Sequence, residues 1–287
     1  MIEIVDIRYC RLGTADLDGA VRFATELIGL EHVGRENGAA YVRGDDRDHN
    51  ICYFQGDPAD QTLGLEVRSF DDLTAADAAL QAAGVKTRSG SEGEAAARRC
   101  MGFINFQDPS GNSIDLVVRP FASGKRYFAS RDAGITEFSH VGLKTTDAPR
   151  DEAFWTGLFN IRANDWIGTA ALMSFDQVHH RIALFPTDHA GIQHINFQTE
   201  SLDDIMRSYY FFRDRQIHIT FGPGRHATSG AMFLYYEGPD GMTYEYSSGV
   251  RMVDDTWRPR QLPFINESFC VWGSRPDIAE FKADDDL

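Results

Sequence analysis

Apolar and polar positions follow two rhythms along this chain, and the rhythms themselves recur. Over Asp18 to Leu30 and Asp71 to Ala83 apolar residues return at helical spacing, with Leu73, Ala76 and Leu80 on one face of the second stretch. Phe154, Trp155 and Leu158 give a comparable stripe further on. Between the helices lie short segments rich in apolar and aromatic residues that read as strands. Asp108-Pro109-Ser110-Gly111 and Gly238-Pro239-Asp240-Gly241 are turn sequences, each leading into a last strand.

Laid on itself at an offset near 130, the chain repeats. Arg11 to Asp16 aligns with His140 to Asp147 through a small insertion, Leu65 to Leu73 with Phe197 to Ile205, and Asp108 to Asp115 with Gly238 to Glu245. Within each half a strand leads to a helix and several strands follow, twice over. The expected fold is therefore α+β: four βαβββ modules paired into two domains, 1–130 and 131–287. The join falls in the polar stretch from Ser123 to Gly134.

Composition narrows the partners. A formal charge of −15 argues against nucleic acid, whose phosphates need a basic surface. Part of the acidity sits in the tail Ala283 to Leu287, read as a solvated end. No apolar run is long enough to span a bilayer, which excludes a membrane partner, and the acidic N-terminus has no signal-peptide pattern, so a cytosolic location is expected. Cys10, Cys52, Cys100 and Cys270 form no metal-binding spacing and read as buried thiols.

Candidate chemistry gathers in the second half, which holds seven of the nine histidines. His140, His194 and Glu245 each lie in a strand-like segment, the last between Tyr244 and Tyr246. One histidine in a strand is more often a hydrogen-bonded core residue than a ligand. A carboxylate in an apolar strand, however, needs a cation to offset its desolvation. Two neutral nitrogens and one anionic oxygen on one side of an ion leave the opposite positions open, which suits Fe(II) binding both a substrate and O2; Mn(II) accepts the same ligands. The aligned positions in the first half, Arg11, Thr62 and Asp115, do not make a set that holds a transition metal, so that half reads as scaffold. Strand alternation would send only one of His179 and His180 into a pocket. Taken singly, His226 reads as surface and Tyr235 as core.

Together these residues become recognisable. Gly224-Arg225-His226, then Leu234-Tyr235, Gly238-Pro239-Asp240-Gly241 and Glu245 resemble the signature of type I extradiol ring-cleavage dioxygenases, of the vicinal oxygen chelate (glyoxalase-like) superfamily. The resemblance runs over essentially the whole chain. It implies two glyoxalase-like domains with the C-terminal one catalytic, His140, His194 and Glu245 as iron ligands, and His180 as acid/base. It also implies His226 and Tyr235 as residues bonding substrate oxygens, a catecholic substrate of the 2,3-dihydroxybiphenyl kind with O2, and a homo-oligomer. Thr228-Ser229 stand where biphenyl-type enzymes commonly carry Asn and Asp. The rival readings are a glyoxalase-like isomerase or lyase and a non-catalytic protein that binds aromatic compounds.

Overall fold

Eight strands of the N-terminal half form one sheet: β1 Asp6–Thr14, β2 Glu31–Glu36, β3 Ala39–Arg43, β4 Ile51–Gln55, β5 Gln61–Val67, β6 Thr87–Ser89, β7 Cys100–Gln107 and β8 Ser113–Pro120. In this computed structural model, which describes residues 1–283, their order is β2-β3-β4-β1-β5-β8-β7-β6. The first strand of each module pairs in parallel with the last, β1 with β4 and β5 with β8, while antiparallel β1 and β5 join the modules. Parallel neighbours need a crossover, which the module helices supply.

The second half repeats the plan with β9 Ile135–Thr145, β10 Arg162–Ile167, β11 Ala170–Ser174, β12 Ile182–Pro186, β13 Gly191–Thr199, β14 Ile219–Arg225, β15 Met232–Glu237 and β16 Thr243–Ser248. Two short late strands, β17 Arg260–Leu262 and β18 Trp272–Gly273, extend its edges, so the order is β17-β10-β11-β12-β9-β13-β16-β15-β14-β18. The four βαβββ modules expected from the sequence are all present.

Helices begin where capping residues allow. Ser69 and Ser201 accept from the backbone N–H groups of Asp72 and Asp204, starting the helices Phe70–Ala82 and Leu202–Asp214 at matching points of the two halves. The stretch expected as a helix from Asp18 to Leu30 is an α-helix, Leu17–Arg22, that widens into a π-helical turn over Phe23–Ile28 and stops at Gly29, φ 92°. The chain forms two compact units, Met1–Arg131 with Arg150–Ile161, and Asp132–Pro149 with Arg162 onward. The helix Ala148–Leu158 thus lies largely in the first unit, where the Phe106 ring packs 6.2 and 6.1 Å from Phe154 and Phe159. Cys10, Cys52 and Cys100 are buried free thiols, and Cys270 is only half-buried. The acidic tail lies, from Asp284 on, outside the described residues.

Candidate metal centre

Strand β13 runs between β9 and β16, antiparallel to one and parallel to the other. Their register sets His140, Asn196 and Glu245 in one row, and His194, two residues along β13, shares the face of Asn196. His140 Nε2 is 3.0 Å from His194 Nε2 and 3.0 Å from Glu245 Oε2, and His194 Nε2 is 3.4 Å from the same oxygen. All three residues are buried. Burial raises the Glu245 carboxyl, but the facing His140, His226 and His194 outweigh it and hold it well below the usual range. Burial draws His194 down to about 3 against the opposing pull of Glu245.

This donor set fits a divalent ion. Donors held at about 2.1 Å and at right angles around a six-coordinate ion stand about 3.0 Å from one another, close to the separations found here. Glu245 Oε2 makes no hydrogen bond although it is buried, an expense that a cation would remove.

Two neighbours aim the His194 ring. Gln193 Oε1 accepts from Nδ1, which leaves Nε2 as the lone pair on the side of Glu245. Gly142 gives the ring its space, since a Cβ at that position would stand 2.5 Å from His194 Nδ1. The glycine of His140-Val141-Gly142 therefore serves the second histidine rather than the first.

His180 and His179 sit on the bend before β12 rather than within a strand, yet their rings still diverge. His180 packs against His140 with ring centroids 4.2 Å apart, whereas His179 turns to Asp165, Nε2 to Oδ2 2.9 Å. Burial first, then the neighbouring His140 and His179, pull His180 well below its ordinary value, so it is neutral at pH 7. His226 follows β14 and is not a surface residue. Its Nδ1 donates to the Phe269 carbonyl (2.9 Å), and its Nε2 lies 3.2 Å from the Tyr235 hydroxyl and 3.3 Å from Glu245 Oε1. Burial and the Glu245 charge raise Tyr235 well above its ordinary value, so its hydroxyl keeps its proton. All six candidate residues thus lie together in one cluster. Phe281, 5.8 Å from Tyr235 and 6.4 Å from His194 between ring centroids, joins them unannounced by any motif.

The N-terminal unit shows the same frame closed on itself, and its register corrects one alignment. The N–H of Cys10 donates to Asn50 O as that of Val141 donates to Arg181 O, so Tyr9, not Arg11, is the counterpart of His140. His49 then matches His180, and Thr62 and Asp115 match His194 and Glu245. Asp115 is fully buried and accepts from Tyr9 Oη (2.9 Å), Arg98 Nε (2.6 Å) and Asn105 Nδ2 (2.9 Å). A guanidinium supplies the positive charge that the carboxylate demands.

The profile of the Glyoxalase/Bleomycin resistance protein/Dioxygenase superfamily matches residues 6–116 and again 137–246. The chain belongs to that superfamily. One match in each half accords with the duplication. Among curated relatives, a biphenyl-2,3-diol 1,2-dioxygenase of Sphingomonas paucimobilis is 28% identical over 271 residues, spanning 88% of this chain and 90% of its own. A manganese-dependent 2,3-dihydroxybiphenyl 1,2-dioxygenase of Geobacillus genomosp. 3 is 26% identical over 284 residues, spanning 90% and 89%. The solved structure of a halotolerant catechol dioxygenase superposes with a TM-score of 0.88 at 20% identity, over 98% of both chains. The resemblance to extradiol dioxygenases, a class of oxidoreductases, is thereby borne out. No helix among the described residues is long and apolar enough to cross a membrane.

Proposed function

We propose that this protein cleaves the ring of a substituted catechol next to its diol, using O2 and a divalent ion held by His140, His194 and Glu245. The observation that carries the reading is the set of three buried ligand atoms 3.0, 3.0 and 3.4 Å apart, with a neutral histidine, His180, against one of them. Fe(II) is the ion we favour, and Mn(II) is the alternative that the same donors accept. When bound, such an ion makes a coordinated hydroxyl more acidic and couples an electron-rich ring to O2.

The chain's own residues would do the rest. His180 accepts a proton from one catechol hydroxyl and later returns it. Tyr235, which keeps its proton, and His226, anchored by Phe269 O, stand side by side to bond the substrate's oxygens. Phe221, Phe233, Phe269 and Phe281 form with Tyr235 an apolar cluster that backs the site. A bulky diol such as 2,3-dihydroxybiphenyl is the substrate we put first, supported by the relatives' names. In this reading residues 131–287 carry the chemistry, residues 1–130 are scaffold, and the enzyme works as a cytosolic homo-oligomer.

Two other readings remain testable: a metal-dependent isomerase or lyase, and a protein that only binds aromatic compounds. A fourth protein ligand would favour the first, and the His/Cys/Asp/Glu cluster among the described residues has three members. The test is anaerobic loading with Fe(II) or Mn(II), then a panel of 3- and 4-substituted catechols and dihydroxybiphenyl, then air. The proposal expects O2 uptake matched to a yellow ring-opened product. Substrate binding without O2 uptake across the panel would refute it.

A further inference from the structure

Behind His180 lies a buried chain of groups that the reaction as proposed does not use. Asp165, on β10, is fully buried in the segment Ala163-Asn164-Asp165-Trp166-Ile167. Its Oδ1 accepts from the backbone N–H and Nε of Arg260, at 2.9 and 3.1 Å. Its Oδ2 accepts from Arg260 Nη2 (2.5 Å) and faces His179 Nε2 at 2.9 Å. On the other side of the His179 ring, Nδ1 lies 3.1 Å from His180 Nδ1. His179 is itself fully buried, and Asn164 Nδ2 donates to its carbonyl at 2.7 Å.

The proton positions follow from what each atom can do. Every hydrogen bond that Arg260 makes to Asp165 is a donation, so both carboxylate oxygens act only as acceptors. Burial would raise the Asp165 carboxyl, but His179 and Arg260 outweigh it and it is ionised at neutral pH. His179 Nε2 must then donate. Burial keeps the His179 ring neutral, so its single proton is on Nε2 and its Nδ1 is a lone pair. The adjoining His180 Nδ1 has to donate to it. The remaining nitrogen, His180 Nε2, is left as the base.

We infer that Asp165, acting through His179, is a positioning residue that fixes His180 in the tautomer with its proton on Nδ1 and its lone pair on Nε2. This rests on the acid/base role proposed for His180. The network also predicts the consequence of one atom's exchange. In Asp165→Asn the side-chain oxygen is kept toward the backbone N–H and Nε of Arg260, which need an acceptor. The amide nitrogen then faces His179 and donates to Nε2, while Arg260 Nη2 loses its acceptor there and keeps the Thr228 carbonyl at 2.7 Å. His179 becomes protonated on Nδ1, donates to His180 Nδ1, and forces the His180 proton onto Nε2, where no base remains. An orienting carboxylate exchanged for its amide leaves a catalytic histidine in the wrong tautomer at a cost of up to about 10⁴ in turnover.

The experiment is ring-nitrogen NMR on the metal-free protein with 15N-labelled histidine, His180 being assigned by its loss in His180→Gln. Wild type should show His180 protonated on Nδ1, and Asp165→Asn should show it protonated on Nε2. In the metal-loaded enzyme Asp165→Asn should lower kcat by roughly 10²–10⁴ with metal affinity and KM changed by a few fold at most. Protonation of His180 on Nε2 in wild type would overturn the inference, and so would a tautomer that Asp165→Asn leaves unaltered. The wild-type spectrum decides even if the variant does not fold. Full turnover by His180→Gln would remove the acid/base reading while leaving the tautomer assignment intact, so the two failures are told apart.

Discussion

Replacing Gly142 by alanine tests the site through a residue that binds nothing. Its backbone is not in the left-handed region, so alanine fits the local conformation and should even reduce the freedom of the unfolded chain. The obstacle is the His194 ring, with Nδ1 2.5 Å and Cε1 2.7 Å from the new methyl carbon. An ordinary contact starts near 3.4 Å, so the ring has to retreat by almost 1 Å. Phe185 Cε2, 3.1 Å from the same carbon, crowds the space beside it. Metal–ligand bonds tolerate about 0.2 Å, and disturbing a group that orients a ligand typically costs 10–100-fold in affinity, or about 1.4–2.8 kcal/mol. Calorimetric titration of chelator-treated protein with Mn(II) should therefore show Gly142→Ala weakened by that factor, with a circular-dichroism spectrum matching wild type and a loss of stability of about 1–3 kcal/mol from the overpacked ring. Wild-type affinity in a folded variant would refute the account of how His194 is aimed.

Other perturbations divide the roles. Glu245→Ala should lose metal and activity together, whereas His180→Gln should keep metal and catechol affinity while turnover falls roughly 10²–10⁴-fold; the reverse pattern in metal analysis and steady-state kinetics would exchange their assignments. In the N-terminal unit, Arg98→Met strands the buried Asp115 carboxylate and should cost about 3–5 kcal/mol in urea unfolding, largely recovered by adding Asp115→Asn. A loss below about 1 kcal/mol would contradict the guanidinium's role there. For the metal-free protein, the His194 value of about 3 lies below the ordinary 6.5, so the unfolded chain binds a proton that the folded chain refuses between those values. Its contribution is complete above about pH 6.5 and is lost as pH falls, by about 1.4 kcal/mol per pH unit; a stability profile flat from pH 6.5 to 4.5 would speak against a neutral buried ring.

Much of the site could be read from residue types. The duplication, the modules and the convergence of His140, His194 and Glu245 were legible because a carboxylate between two tyrosines demands a cation and the chain supplies few histidines elsewhere. The counterpart of His140 was not. Sequence similarity aligned Gly13 with Gly142 and so set Arg11 opposite His140, whereas strand register assigns Tyr9. Tyr9 and Arg11 are two residues apart and share a strand face, so the apolar pattern could not tell them apart. His226 looked like surface because the Phe269 carbonyl that anchors it comes from 43 residues away. Asp165 was missed although it carried the same signal as Glu245, an acid in an apolar strand. Its cation, Arg260, lies 95 positions on and is invisible to local reading.

The most direct test of the central claim is pulsed EPR of the protein loaded with one equivalent of Mn(II). The account predicts a single bound ion coupled to two imidazole nitrogens, one lost in His140→Ala and the other in His194→Ala. An ion with no directly bound nitrogen, or a spectrum that neither substitution changes, would contradict it.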